Sequence, residues 1–160
     1  MITETVYLDT TIPSFYFDER ESFKNWIEET QRWWQEESFR YELWISDAVI
    51  EELSFGNYPK KIEILKFIEP LRVLERSLDL ERIVAVYIEN FVMPKSLVGD
   101  AIHLAYASYY GIDYLLTWNC NHLANARKRK HIKVINGRLG LSTPEIVTPL
   151  NLVEEMNETR

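Results

Sequence analysis

Apolar positions along the chain follow two periods. Five short runs, rich in β-branched and aromatic residues, have the length of buried strands: Thr5–Leu8 (TVYL), Tyr41–Ile45 (YELWI), Leu71–Leu74 (LRVL), Tyr114–Thr117 (YLLT) and Glu145–Thr148 (EIVT). Between them, apolar residues recur at helical spacing. Ser22–Phe39, Ala48–Phe55, Tyr58–Ile68 and Leu78–Val92 each read as a helix with one inner face, the last presenting Leu80, Ile83, Val84, Val86, Tyr87 and Phe91. Another helix opens at Gly99–Asp100 and carries Ile102, Leu104, Ala105, Ala107 and Ser108. Pro13 suits the first turn of a helix after the first strand. Gly56 and Gly111 suit left-handed helix ends, Pro70 stops Tyr58–Ile68, and Met93–Val98, with Pro94, reads as a linking loop.

Strands alternating with helices predict an α/β fold, a central parallel sheet with helices on both faces. There is no internal repeat, low-complexity tract or interdomain linker, so residues 1–150 read as one domain and 151–160 as a short C-terminal tail free to fray. In such sheets ligands sit beyond the carboxyl ends of the strands. Asp9 follows the first strand, Asn119 follows Tyr114–Thr117, and a helix N-terminus carries Asp100 to the same end. Ser46 or Asp47 can cap the helix that bears Glu51 and Glu52, which point about 100° apart, so one can face the site while the other faces water. The plain alternative for Asp9 is a helix N-cap. For the set, it is separate caps and surface charges.

Composition narrows the chemistry. A length of 160 residues allows a sizeable core. No apolar run reaches the roughly 18 residues of a membrane helix, so no membrane association is expected. The start, MITETVYLDT, lacks the shape of a signal peptide. One cysteine, Cys120, excludes an intrachain disulfide and fits a reducing cytoplasm. A net charge of −7 argues against nucleic-acid binding by the whole surface, though not by a local patch. No CxxC or HExxH spacing occurs and the three histidines are scattered, so a zinc site is not expected. Three carboxylates in one cleft would repel and raise one another's pKa unless a cation compensates, and hard oxygen ligands select Mg²⁺ or Mn²⁺.

Two further features stand out. Phe23, Trp26, Ile27, Trp33 and Trp34 form an aromatic stripe that reads first as core packing and second as a surface for a protein partner. Arg127, Lys128, Arg129, Lys130, His131 and Lys133 form a basic cluster, either a solvated helix face or a phosphate-contact patch.

The stretches YLDTTIPSFYF, WISDAVIEEL, GDAIHLAYA, DYLLTWN and EIVTPLNLVEEM, in this order, resemble PIN-domain ribonucleases of the VapC toxin type. The resemblance implies a PIN-like three-layer sandwich, Mg²⁺- or Mn²⁺-dependent endoribonuclease activity, an RNA substrate and a cognate antitoxin; a homodimer is expected with it. It places the metal triad on Asp9, Glu52 and Asp100, with Glu51 the alternative to Glu52. Thr10, Thr117 and Asn119 would orient those ligands or position water. The chain departs from the family at Asn119, where an acid is usual; the amide oxygen can ligate a metal but brings no charge. Arg127, Lys128, Arg129 and Lys130 would seat the RNA. The rival is a protein-binding module that keeps the fold without catalysis. A haloacid-dehalogenase-like phosphatase also begins with an Asp after the first strand, but needs an acid where this chain has Thr11.

Overall fold

The computed structural model describes residues 2–90, 92–93, 98–119 and 126–153. Phe91, the 94–97 part of the loop read around Pro94, Cys120 and the 154–160 part of the tail lie outside the described residues. Five strands, β1 (Thr5–Leu8), β2 (Glu42–Ser46), β3 (Arg72–Leu74), β4 (Tyr114–Leu116) and β5 (Glu145–Val147), pair in parallel in the order β3-β2-β1-β4-β5. β1 is central, pairing Val6 with Leu43 on one side and Leu8 with Leu116 on the other. Covered on both faces, it is an unbroken apolar run, and Val6, Tyr7 and Leu8 are fully buried.

Seven α-helices lie among the described residues: α1 (Thr11–Phe17), α2 (Lys24–Glu36), α3 (Asp47–Ser54), α4 (Lys61–Ile68), α5 (Leu78–Glu89), α6 (Val98–Tyr109) and α7 (Ala126–Leu139). They form the outer layers of an α/β sandwich. α1, α2 and α4 meet through aromatic rings: Phe67 stacks on Tyr16 at 4.5 Å and lies 4.4 Å from Trp34. α5, α6 and α7 meet at Asn136, which is fully buried. Its Oδ1 accepts from Tyr87 Oη (2.6 Å) and its Nδ2 donates to Ser108 Oγ (3.0 Å) and Thr143 Oγ1 (3.1 Å). A buried amide is tolerated only when paired in this way.

Several boundaries differ from the sequence pattern. The helix expected over Ser22–Phe39 is α-helical only over Lys24–Glu36, with single 3₁₀ turns at Glu21–Phe23 and Ser38–Arg40. The one expected from Tyr58 begins at Lys61, because Lys60 turns left-handed at φ 67°. α5 stops at Glu89, where the Asn90 side chain donates to Val86 O. Ser46 Oγ accepts from Val49 N and caps α3. Gly111, at φ 67°, closes α6: Ile112 N bonds Ala107 O and Gly111 N bonds Ser108 O, the 6→1 and 5→2 pair that a left-handed residue permits. The start of the expected tail is packed, with Leu152 buried and its carbonyl accepting from Trp33 Nε1 at 2.7 Å. Among the described residues no helix is long and apolar enough to cross a membrane.

Candidate active site

The chain runs from β1 outward to β2 and β3, then returns to place β4 and β5 on the other side of β1. Strand order therefore reverses between β1 and β4, and in open parallel sheets the crevice beyond such a reversal is where ligands bind. Asp9 leaves β1 at that point. The carboxylate is 1% exposed. Its Oδ1 accepts from Thr11 N (3.0 Å) and Thr11 Oγ1 (2.5 Å), and its Oδ2 accepts from Thr117 Oγ1 (2.5 Å), beyond β4. Burial pushes its pKa up, against the pull of His103 and the two threonines. The N-cap of α1 is Thr10, whose side chain makes no capping bond, and Asp9 only accepts from Thr11 N at the helix start.

Glu52 projects from α3 toward the same crevice. Oε2 accepts from Thr10 Oγ1 at 2.9 Å, and Oε1 lies 2.8 Å from His103 Nε2. Burial alone would raise the Glu52 pKa, but His103 and Thr10 outweigh it and hold the carboxyl below its ordinary value. Glu51 points away, exposed, with Arg76 Nη2 3.3 Å from its carboxylate. Asp100, in the first turn of α6, is buried, and its Oδ1 accepts from Asn119 Nδ2 at 3.1 Å. Asn119 N in turn donates to Thr117 Oγ1 at 2.9 Å. A chain of contacts thus joins Asp9, Thr117, Asn119 and Asp100, and a second joins Thr10, Glu52 and His103.

His103 is the residue that the sequence pattern did not single out. It stands one turn after Asp100 on the same face of α6 and is 2% exposed. Nδ1 lies 2.7 Å from Tyr7 Oη, which lies 2.7 Å from Ser46 Oγ. Nε2 has the close contact with Glu52 but no aligned hydrogen-bond partner. Burial would lower its pKa; Glu52, with the charges of Asp9 and Asp100, reverses that and raises it. The neighbouring carboxylates therefore favour the protonated form of the imidazole. The signal available in the sequence was the three-residue spacing Asp100–His103, which shows its meaning only once α6 lies against β1.

Among the described residues, no three His, Cys, Asp or Glu side chains are gathered closely enough to hold a metal ion. Each acid is held by a hydroxyl, an amide or the imidazole instead. The basic cluster does not share one face of α7: Ile132, Ile135 and Asn136 are buried, and His131 Nε2 lies 2.6 Å from Asn90 O. Arg127, Arg129 and Lys130 are exposed, and Lys128 Nζ donates to Val92 O at 2.5 Å. Arg129 and Lys130 line a surface groove of about 670 Å³ against Thr143 and Glu145, and Asp9, Glu52 and Asp100 are not part of it.

No family model and no curated protein sequence matches the chain. Solved structures do match. A chain of a toxin–antitoxin complex from Klebsiella pneumoniae superposes with a TM-score of 0.58 at 19% identity, over 90% of this chain and 97% of that one. VapC20 of Mycobacterium tuberculosis, described as a sarcin–ricin loop cleaving toxin, gives 0.55 at 14% identity over 69% of this chain and 86% of its own. A chain of VapBC2 from Rickettsia felis, solved bound to a DNA fragment from its promoter, gives 0.51 at 13% identity over 90% and 98%. The likeness is one of fold: the chain has the PIN-like α/β architecture of these structures.

Proposed function

We propose that the chain is a metal-dependent endoribonuclease and the toxin of a toxin–antitoxin pair. One observation carries this reading. β1, α3, α6 and the exit of β4 bring Asp9, Glu52, Asp100 and Asn119 to the crevice where strand order reverses. The fold shared with VapC structures supports it, as does the occurrence of two of those structures in toxin–antitoxin complexes; a homodimer is part of the proposal.

The donor set is three carboxylates and an amide oxygen, without cysteine, which suits Mg²⁺ or Mn²⁺. The crevice is a buried polar centre: Asp9, Asp100, Thr117 and His103 are each no more than 9% exposed. Asp9, Glu52 and Asp100, which now face separate hydroxyl, imidazole and amide partners, would have to converge to hold the ion, which supplies the positive charge that polarises water and phosphate for in-line attack. Thr11 and Thr117 fix the rotamer of Asp9, Thr10 and His103 fix Glu52, and Asn119 fixes Asp100. Such orienting partners are commonly worth 10–100-fold in metal affinity or activity. The exposed Arg127, Arg129 and Lys130 would contribute phosphate contacts, and Lys128 would join them on leaving Val92 O.

The test is cleavage of a single-stranded RNA by the purified chain in Mg²⁺, Mn²⁺ and chelator. Cleavage is expected with either metal and not in chelator. Asp100→Asn should lose activity by more than ~100-fold while remaining folded, since a ligand should matter more than the group orienting it. Cleavage in chelator, or a wild-type rate in Asp100→Asn, overturns the assignment. The second reading, a PIN-fold protein-binding module without catalysis, is favoured by two observations: Asn119 stands where an acid is usual, and every acid already has a partner within the chain. A folded wild type that cleaves no RNA in either metal selects it.

A further inference from the structure

We propose that Trp26, backed by Trp118, is a stacking platform for a nucleobase of the RNA beside the reacting phosphate; the assignment rests on the ribonuclease reading above. The two indoles lie parallel, 9° apart with ring centroids at 5.4 Å. Phe15 stands edge-on to both, at 5.5 Å from Trp26 and 6.4 Å from Trp118. α2 buries Ile27, Thr30 and Trp33 but leaves Trp26 42% exposed. The aromatic stripe of α2 therefore divides: one part is core, and Trp26 stays at the surface.

Two threonines fix the platform. Thr30 Oγ1 accepts from Trp118 Nε1 at 2.8 Å and donates to Trp26 O at 2.6 Å, so one hydroxyl ties both tryptophans. Thr11 Oγ1 accepts from Trp118 N at 3.0 Å and donates to Asp9 Oδ1. Trp118 is thus two hydrogen bonds from the carboxylate proposed to hold the metal, and it lies between Thr117 and Asn119 in the chain. A ring held in advance loses little freedom when a ligand stacks on it.

Position favours a base over a protein side chain as the occupant: Trp118 stands between Thr117 and Asn119 and bonds Thr11, which bonds Asp9. The chain carries a net charge of −7, so general electrostatic attraction cannot hold a polyanion near three acids. Stacking supplies affinity without positive charge, and any base can provide the π-face. Trp26 is stacked on Trp118 and flanked by Phe15 and Phe23 at 5.5 Å each, so a flat ring meeting its exposed part joins an existing aromatic cluster.

The experiment measures binding of a labelled single-stranded RNA to the full chain in chelator, and cleavage of the same RNA in Mg²⁺. Trp26→Ala and Trp26→Leu should each weaken binding roughly 5- to 150-fold, while Trp26→Phe keeps most of it. Trp26→Leu retains apolar cover without a π-face, and thermal melts verify that each variant is folded. One abasic nucleotide, moved along the RNA, should weaken wild-type binding by a similar factor at a single position and have no further effect there in Trp26→Ala. The dependence on salt should not change, since no phosphate contact is lost. If the wild type cleaves RNA and all three variants bind it equally well, the platform is overturned, the nuclease reading stands, and Trp26 belongs to a protein-binding surface. A wild type that neither binds nor cleaves RNA overturns both.

Discussion

His103 Nε2 lies 2.8 Å from Glu52 Oε1, which places a buried imidazole among the carboxylates that would otherwise repel one another. When protonated, His103 offsets part of that repulsion from within the fold. His103 is in turn held by Tyr7, from the central strand, so the charge balance of the site is tied to the core.

That contact makes the stability of the metal-free chain depend on pH. Glu52 is held below its ordinary value, so its contribution is present above the unfolded carboxyl pKa of ~4.3 and is lost as pH falls through the folded value. His103 is raised, so its contribution is complete below ~6.5 and is lost as pH rises through the folded value. Asp9 acts in the opposite sense to Glu52: its raised pKa makes ionisation cost stability as pH rises. The contact should therefore stabilise most between about pH 4.3 and 6.5. His103→Gln should lower Tm most in that window and flatten the decline above it. Melts in chelator from pH 4 to 9 check this, and superimposable curves for variant and wild type would remove the ion pair from the account.

Adjacent glutamates should behave differently. Glu51 is exposed and its pair with Arg76 is worth little, so Glu51→Gln should change stability by less than ~0.5 kcal/mol and keep most of the nuclease activity. Glu52→Gln removes the partner of His103 and a proposed metal ligand, and should abolish cleavage. Parallel activity assays and denaturation curves separate the two. The opposite pattern would keep a helical acid in the mechanism but rotate α3.

Asn136 sets the packing of α5, α6 and α7. Asn136→Ala strands the Tyr87 hydroxyl and leaves Ser108 and Thr143 without their donor. Unsatisfied buried groups cost about 1–3 kcal/mol each, so a loss of at least ~2 kcal/mol is expected, read as a drop in denaturation midpoint at unchanged slope. A change below ~0.5 kcal/mol would mean that the network forms no tighter than its solvated alternatives.

What was legible in the sequence was what local pattern controls. Five apolar runs became five strands within a residue or two, and Asp9 and Asn119 could be placed because each follows a strand. Helix ends were missed where the backbone changes type, at the left-handed Lys60 and the 3₁₀ turns beside α2. The partners were not legible. Tyr7 meets His103, Asn119 meets Asp100, and Trp26 meets Trp118 only after distant elements pack, and no periodicity reports which polar atom will face which. Asn136, fully buried beside the basic cluster, carries no mark of that burial in the sequence.

Asn119 tests the charge balance directly. Its Nδ2 donates to Asp100 Oδ1 at 3.1 Å, so the amide holds the acid in place and adds no charge. Asn119→Asp replaces that donor with a second carboxylate at contact distance. Two like charges so close destabilise each other's ionised form unless a cation is added. The metal-free chain should therefore melt several degrees lower at neutral pH, and the difference should shrink as pH falls and one of the pair takes a proton. With Mg²⁺ or Mn²⁺ the extra charge favours the bound state, so affinity should tighten and the Tm gain on adding metal should exceed that of the wild type. Calorimetric titration and melts with and without metal measure both effects. An Asn119→Asp chain with wild-type metal affinity and an unchanged metal-free Tm would place residue 119 outside the metal site.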